Sequence, residues 1–253
     1  MIEYGLIGYP LGHSASAEYF NDKFYRLGIA ARYTAYPIKR IEEFPELLRD
    51  RSLSLRGLNV TYPYKEAVIT YLDEMDPLAE EVGAVNTISI DTQRNSRPYL
   101  KGYNTDVVGF KHSIASHLGE RRRALILGSG GAAKAVRKAL DLLGIPSVTL
   151  SRKAEKPNTC SYGAFGSETL RDYPIIINAT PLGMAPLVTE YPPIDYTQID
   201  IRHLCYDLIY NPSKTLFLQK AEERGATCIN GMEMLLAQAE AAYRIWQGMP
   251  PCE

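Results

Sequence analysis

Cysteine is scarce in this chain. The 253 residues hold four, Cys160, Cys205, Cys228 and Cys252, too scattered to form a CxxC pair. Histidine is as sparse: His13, His112, His117 and His203 make no HExxH or comparable ligand spacing. These absences exclude a disulfide scaffold and a spacing-encoded metal site, and reduced cysteines in a cytoplasmic protein without a metal are expected. A chain of this length buries roughly 70–75% of its unfolded surface, so it needs neither aid to fold. No charge sign dominates, since 28 Lys+Arg against 29 Asp+Glu leave a net charge of −1. That excludes a broad basic face for nucleic acid or an anionic membrane. No apolar run approaches the roughly 20 residues of a membrane span. The opening MIEYGLIGYP lacks the basic and long apolar stretches of a secretion signal.

What is present is an alternation of strand and helix patterns. YGLIG (4–8), GLNVT (57–61) and AVNTISID (84–91) read as strands. Helices are expected from Ala17 to Leu27, stopped by Gly28, from near Pro63, and from Val107 to Leu118. After Arg121-Arg122-Arg123 a second block begins with the strand ALILG (124–128) and a helix from Ala132 to Leu143, stopped by Gly144. PSVTLS, IIINAT and LCYDLI supply further strands, 186–193 reads as a Pro-rich loop, and a last helix runs from Met232 to Gln247. The fold class is α/β, in two units divided near residue 105, with mostly parallel sheets.

The strongest generic motif is Gly128-Ser129-Gly130-Gly131-Ala132-Ala133, a GxGxxG/A run between a strand and a helix. Glycines there let the backbone approach a pyrophosphate, whose charge suits the N–H groups of the helix start. An NAD site wants an acid about 20 residues on. This strand instead ends Leu150-Ser151-Arg152-Lys153, with Lys156 beyond, and cations suit the 2′-phosphate of NADP. In isolation, the same cations also fit a solvated surface loop.

Lys65, in Thr61-Tyr62-Pro63-Tyr64-Lys65, is expected near a helix N-terminus. There the dipole disfavours a cation and would ease proton transfer. Local pattern does not separate this from a solvated lysine. Thr105 or Asp106 fits an N-cap of the helix that follows, as Ser16 does for its own. Yet Ser14, Ser16, Thr61, Lys65 and Asn86 fall at the C-terminal ends of first-block strands, where open α/β sheets bind ligands. That set suits a hydroxylated, anionic small molecule. Gln238 shares a helix face with Leu235, Ala239 and Ala242, so it reads either as a buried amide in need of a partner or as a helix-edge residue.

GLIGYPLGHSASAEYFN (5–21), GLNVTYPYK (57–65), GAVNT (83–87), GYNTDVVGF (102–110), GSGGAAKA (128–135), NATPLGM (178–184), YDLIYNPSKTLFL (206–218) and NGMEMLLAQA (230–239) follow one another in the order of a known family. Over nearly its whole length the chain resembles shikimate dehydrogenases. The resemblance implies a substrate domain over 1–105 and 232–253 and a Rossmann-like NADP domain over 106–231. It implies Lys65 and Asp106 as the catalytic pair. Ser14 and Ser16 would hold the substrate carboxylate, with Tyr210 nearby, while Thr61, Asn86, Asp106 and Gln238 hold ring hydroxyls. Toward NADP it implies the 128–133 turn, Ser151, Arg152 and Lys153, with Thr180 at the cofactor's middle and Leu208 and Gly231 at the nicotinamide.

The reaction implied is reversible reduction of 3-dehydroshikimate to shikimate in aromatic amino acid (chorismate) biosynthesis, by a monomer or homodimer. Alternatives on this scaffold are a quinate/shikimate dehydrogenase using NAD(P) and a non-catalytic NADP sensor. The chain departs from the family pattern at Ala17 and Phe20, where Pro and His are usual, and at Ser151-Arg152-Lys153, where Asn-Arg-Thr is usual. Pro, Asn and Gly in KPNTCSYGAFGSE (156–168) predict an irregular connection there.

Overall fold

Two six-stranded sheets organise the chain, one in each of two units: Met1–Val108 with Gln238–Glu253, and Gly109–Ala237. The computed structural model describes residues 1–12, 15–51, 54–92, 97–152, 159–163, 165 and 170–250. The divisions fall inside two helices, whereas the sequence reading set them at 105/106 and 231/232. No helix among the described residues is long and apolar enough to cross a membrane.

The first unit runs β1 (Ile2–Gly8), α1 (Ala15–Arg26), β2 (Ala31–Pro37), α2 (Phe44–Asp50), β3 (Leu55–Val60), β4 (Glu74–Met75), α3 (Pro77–Val82), β5 (Thr87–Asp91), β6 (Tyr99–Tyr103) and the first turn of α4 (Thr105–Ala115), which continues into the second. Its strand order is β2-β1-β3-β5-β6-β4. β1 lies parallel to β2 and β3, but β5 runs antiparallel to both neighbours, so this sheet is mixed. Register pairs Tyr4 with Tyr33 and Ile7 with Tyr36. Since side chains alternate across a strand, these pairs serve opposite faces. On one, Tyr4 and Tyr33 pack with Phe20 and Phe24 of α1. On the other, Ile7 and Tyr36 join Phe44, Leu58 and Val68. Phe20 stacks on Tyr33 with ring centroids 4.6 Å apart. Burying rings of this size contributes about 1.5–3 kcal/mol each, an upper-end figure because unfolded chains already bury some surface.

The second unit continues with β7 (Ala124–Leu127), α5 (Gly131–Leu142), β8 (Ser147–Ser151), β9 (Thr159–Ser161), β10 (Ile175–Asn178), β11 (Leu204–Asp207), α6 (Leu216–Glu222) and β12 (Thr227–Ile229). The helix α7 (Met232–Trp246) starts in this unit and ends in the first, where Ala239, Ala242 and Trp246 join the Phe20 cluster. The order β12-β11-β10-β7-β8-β9 is parallel throughout. Counted from the other edge it is 3-2-1-4-5-6, whose switch point falls between β7 and β10. Both strands are wholly buried, as a sheet covered on two faces requires.

Three expectations need correction. No α-helix starts at Pro63: a turn, closed by Tyr64 N–H donating to Thr61 O at 3.0 Å, leads to a 3-10 helix over Ala67–Tyr71. Val68, Ile69 and Thr70 are three β-branched residues in succession, and each loses side-chain freedom in an α-helix. The strand expected from residue 84 begins at Thr87. Within 156–168, expected to be irregular, Thr159–Ser161 pairs with β8 as a short edge strand.

Candidate active site

In the first unit, Lys65 Nζ donates to Asp106 Oδ2 at 2.6 Å. Two backbone devices fix this pair. The Lys65 carbonyl accepts from Val85 N–H at 2.7 Å, which holds the 61–66 turn beside Val85-Asn86. Asn104 Oδ1 accepts from Val107 N–H at 3.3 Å and so caps α4. The cap is therefore Asn104 and not Thr105 or Asp106, and Asp106 in the first turn is left to face the lysine. The lysine itself gains no helix N-terminus, since the helix expected there does not form.

Around the pair lies a buried polar cluster. Asn86 Nδ2 donates to Asp106 Oδ1 at 2.8 Å and to Thr105 Oγ1 at 2.9 Å. Asn86 Oδ1 accepts from Thr105 N–H at 2.7 Å. Thr105 Oγ1 lies 3.4 Å from Gln238 Oε1, which is on α7 and buried. Four predicted residues, Lys65, Asn86, Asp106 and Gln238, thus come together. Thr61 lies beside the end of β1, where its Cγ2 occupies the space a side chain on Gly8 would need. Ser16 stands half-buried in the first turn of α1. Ser14 and Lys153 lie outside the described residues, and Tyr210 belongs to the second unit, just beyond β11.

In the second unit, β7 ends just before Gly128, and α5 opens at Gly131 with Gly130 as N-cap. Gly128 has φ +107°, and a Cβ there would lie 2.9 Å from Ala179 O and 3.1 Å from Thr180 Cγ2. Both the left-handed backbone and the close approach require glycine. Ser129 and Ser151 hydroxyls meet at 2.9 Å, tying the turn to the end of β8. Arg152 follows, exposed. A side chain on Gly231 would sit 2.1 Å from Leu208 O, so these two predicted residues are in direct contact. Ala132 and Ala133 form the first turn of α5.

The sequence reading passed over a buried hub in this unit. Asp207 accepts from Thr215 Oγ1 at 2.5 Å, Ile209 N–H at 3.0 Å and Asn178 Nδ2 at 3.1 Å. Asn178 Oδ1 in turn accepts from Thr180 Oγ1 at 2.6 Å. The hub orders both strand ends that carry Thr180 and Leu208, and its signal was polar residues closing apolar strands. Burial pushes the Asp207 carboxyl up to about 6, against the lowering by those three donors. A raised acid binds its proton more tightly folded than unfolded, so its contribution is complete below about 4 and is lost as pH rises through about 6. Asp207→Asn removes this pH dependence, so its stability relative to wild type should rise by about 1–3 kcal/mol between pH 4.5 and pH 7.5. Thermal melts of both proteins across this window check it, and an equal difference at the two pH values would refute it.

Residues 6–88 match the family model described as the shikimate dehydrogenase substrate binding domain. The shikimate dehydrogenase (NADP(+)) of Oleidesulfovibrio alaskensis is 40% identical over 97% of this chain and 89% of its own. That of Carboxydothermus hydrogenoformans is 37% identical over 98% and 92%. The crystal structure of shikimate 5-dehydrogenase from Thermus thermophilus in complex with NADP(H) and shikimate superposes with a TM-score of 0.84, at 30% identity, covering 100% of this chain and 95% of that one. This chain belongs to the shikimate dehydrogenase family.

Proposed function

We propose that the chain catalyses the reversible NADPH-dependent reduction of 3-dehydroshikimate to shikimate, with the first unit holding the substrate and the second the cofactor. The observation that carries this reading is the Lys65–Asp106 pair at 2.6 Å, flanked by the amides of Asn86 and Gln238. An amine held by a carboxylate is a proton donor and acceptor in place, and neighbouring amides suit ring hydroxyls.

The residues toward NADP fit such a group. Gly130 has φ −78° and ψ −175°, a backbone any residue adopts, and a Cβ there would meet no described atom within 4 Å. The fold itself makes no demand for glycine at that point; a pyrophosphate approaching the start of α5 does. Arg152 would take the 2′-phosphate, and Thr180, Leu208 and Gly231 the rest of the cofactor. When bound, NADPH supplies the hydride for the C3 ketone.

This chain's residues handle the charge and the proton. As negative charge builds on the C3 oxygen, Lys65 Nζ gives it a proton, and in the oxidative direction takes one back. Asp106 holds the lysine with one carboxylate oxygen and is itself held through the other by Asn86 Nδ2. That division keeps the amine oriented by a charge-assisted hydrogen bond. Ser14 and Ser16 would hold the ring carboxylate, Tyr210 would lie near it, and Thr61 and Gln238 would hold hydroxyls, so that the reacting carbon is presented in one orientation.

The test is spectrophotometric: shikimate and quinate, each with NADP+ and with NAD+, followed by nicotinamide absorbance. Shikimate with NADP+ should have the largest kcat/KM, by about tenfold or more over the other three combinations. Faster oxidation of quinate with NAD+ would overturn the assignment. Tight NADP+ binding with no turnover of either acid would favour a sensor.

A further inference from the structure

The polar cluster does not end at Asn86. It continues inward, past the residues that would touch substrate, to a tyrosine in the aromatic core. Tyr33 is fully buried, and its hydroxyl donates to Asn59 Oδ1 at 2.8 Å. Asn59 Nδ2 donates to Thr87 Oγ1 at 3.1 Å and to the Asn86 carbonyl at 3.2 Å. Thr87 Oγ1 lies 3.2 Å from Asn86 Oδ1 and 3.1 Å from Thr105 Oγ1.

Counting hydrogens gives this chain a direction. A tyrosine hydroxyl bonded to an amide oxygen spends its one proton there. The Asn59 amide is thereby oriented with its nitrogen toward Thr87, whose oxygen receives an N–H. Thr87 must then send its own proton onward, to Asn86 Oδ1 or Thr105 Oγ1. The Asn86 oxygen, already facing Thr105 N–H, turns its nitrogen to Asp106 and Thr105. The Thr105 hydroxyl faces two acceptors, Asn86 Oδ1 at 3.1 Å and Gln238 Oε1 at 3.4 Å. From Tyr33 through Asn59 to Thr87 the donors run toward the site, and Asn86, held at its oxygen by Thr105 N–H, passes its own N–H groups to Asp106 and Thr105.

We infer that Tyr33 is a positioning residue for the catalytic pair: its buried hydroxyl holds the Asn59 amide at the head of a chain, Asn59–Thr87–Asn86, that ends on Asp106 and Gln238. The inference rests on the function proposed above. Removing the hydroxyl leaves Asn59 Oδ1 a buried acceptor without that donor, so the amide is held through its nitrogen alone and is free to tilt. A tilted amide loosens its hold on Thr87 and on the Asn86 carbonyl, and so on the side chain that holds Asp106. Chains of this kind polarise along their length, so a change at the far end is felt at the site.

Three variants test it. Tyr33→Phe keeps the ring stacked on Phe20 and removes one oxygen. Thr87→Val cuts the chain one link nearer the site. Tyr4→Phe is the control, because Tyr4 lies in the same aromatic cluster, off the chain. Melting temperature, kcat and both KM values are measured for each. Tyr33→Phe should lower kcat about fivefold and Thr87→Val about tenfold, with KM for NADP+ unchanged. The double variant should match Thr87→Val, because the two act through one chain; independent packing losses would multiply to about fiftyfold. Tyr4→Phe should leave kcat at the wild-type value. The inference is overturned by a wild-type kcat in Tyr33→Phe, by multiplicative losses in the double variant, or by an equal loss in Tyr4→Phe. A wild-type protein that oxidises no shikimate would instead refute the proposed function, and the inference with it.

Discussion

Lys65→Ala should lower kcat for shikimate oxidation by about 10²–10⁴-fold while shikimate affinity stays within about threefold of wild type. The asymmetry follows from what the lysine does. Its amine meets a reacting oxygen whose charge exists only in the transition state, so its loss is felt in rate and not in ground-state binding. Asn86 and Gln238 hold one another through Thr105 and stay in place without the lysine. Asp106 is a mostly buried carboxylate that would lose its cation but keep the Asn86 amide. A lowered melting temperature is therefore expected, smaller than for a fully buried pair because Lys65 is part-exposed. Calorimetric binding of shikimate beside steady-state kinetics separates the two quantities. A variant retaining a tenth of wild-type kcat, or losing affinity in step with rate, would remove Lys65 from the chemistry.

How far the site was legible depends on where each signal resides. The Gly128–Ala133 turn could be read because strand, turn and helix are contiguous. The buried strands of the second unit are continuous apolar runs, which composition reveals. The partnership of Lys65 with Asp106 spans 41 positions, and no periodicity links residues that far apart; it came from the order of motifs. The helix expected at Pro63 failed because a proline signal was weighed without the β-branched run behind it. Conversely, α3 had a full local signature that was passed over: Asp76 accepting from Leu78 N–H, Pro77 in the first turn and Gly83 at φ +65°. Six residues are too few for periodicity to show, so only the caps announce it. Asp207 and Asn178 showed only as polar residues closing apolar strands, and Tyr33 not at all. Their importance lies in which buried atoms they satisfy, and sequence does not display burial of a single polar atom.

Gly231→Ala should cost about 3 kcal/mol of stability and raise KM for NADP+ more than about tenfold. The added Cβ would lie 2.1 Å from Leu208 O and 2.6 Å from its carbonyl carbon. Both neighbours are backbone, so no side-chain rotation relieves the contact. Leu208 cannot simply retreat, because its N–H donates to Asn178 O at 3.0 Å and the adjacent Asp207 is locked by three donors. Nor can Gly231 withdraw easily, since its own N–H donates to Ile209 O at 3.1 Å. The strain must then pass into the strand end carrying Leu208, which is where the nicotinamide is proposed to bind. Gly130→Ala is the informative comparison. There the backbone angles are ordinary and the space is open, so the melting temperature should not move, while KM for NADP+ should still rise because the methyl group occupies the pyrophosphate's approach. Parallel melts and NADP+ titrations of the two variants thus distinguish a glycine kept for the fold from one kept for the ligand. Should Gly130→Ala bind NADP+ as tightly as wild type, the open space beside α5 would not be where the pyrophosphate lies, and the cofactor assignment of the 128–133 turn would fail.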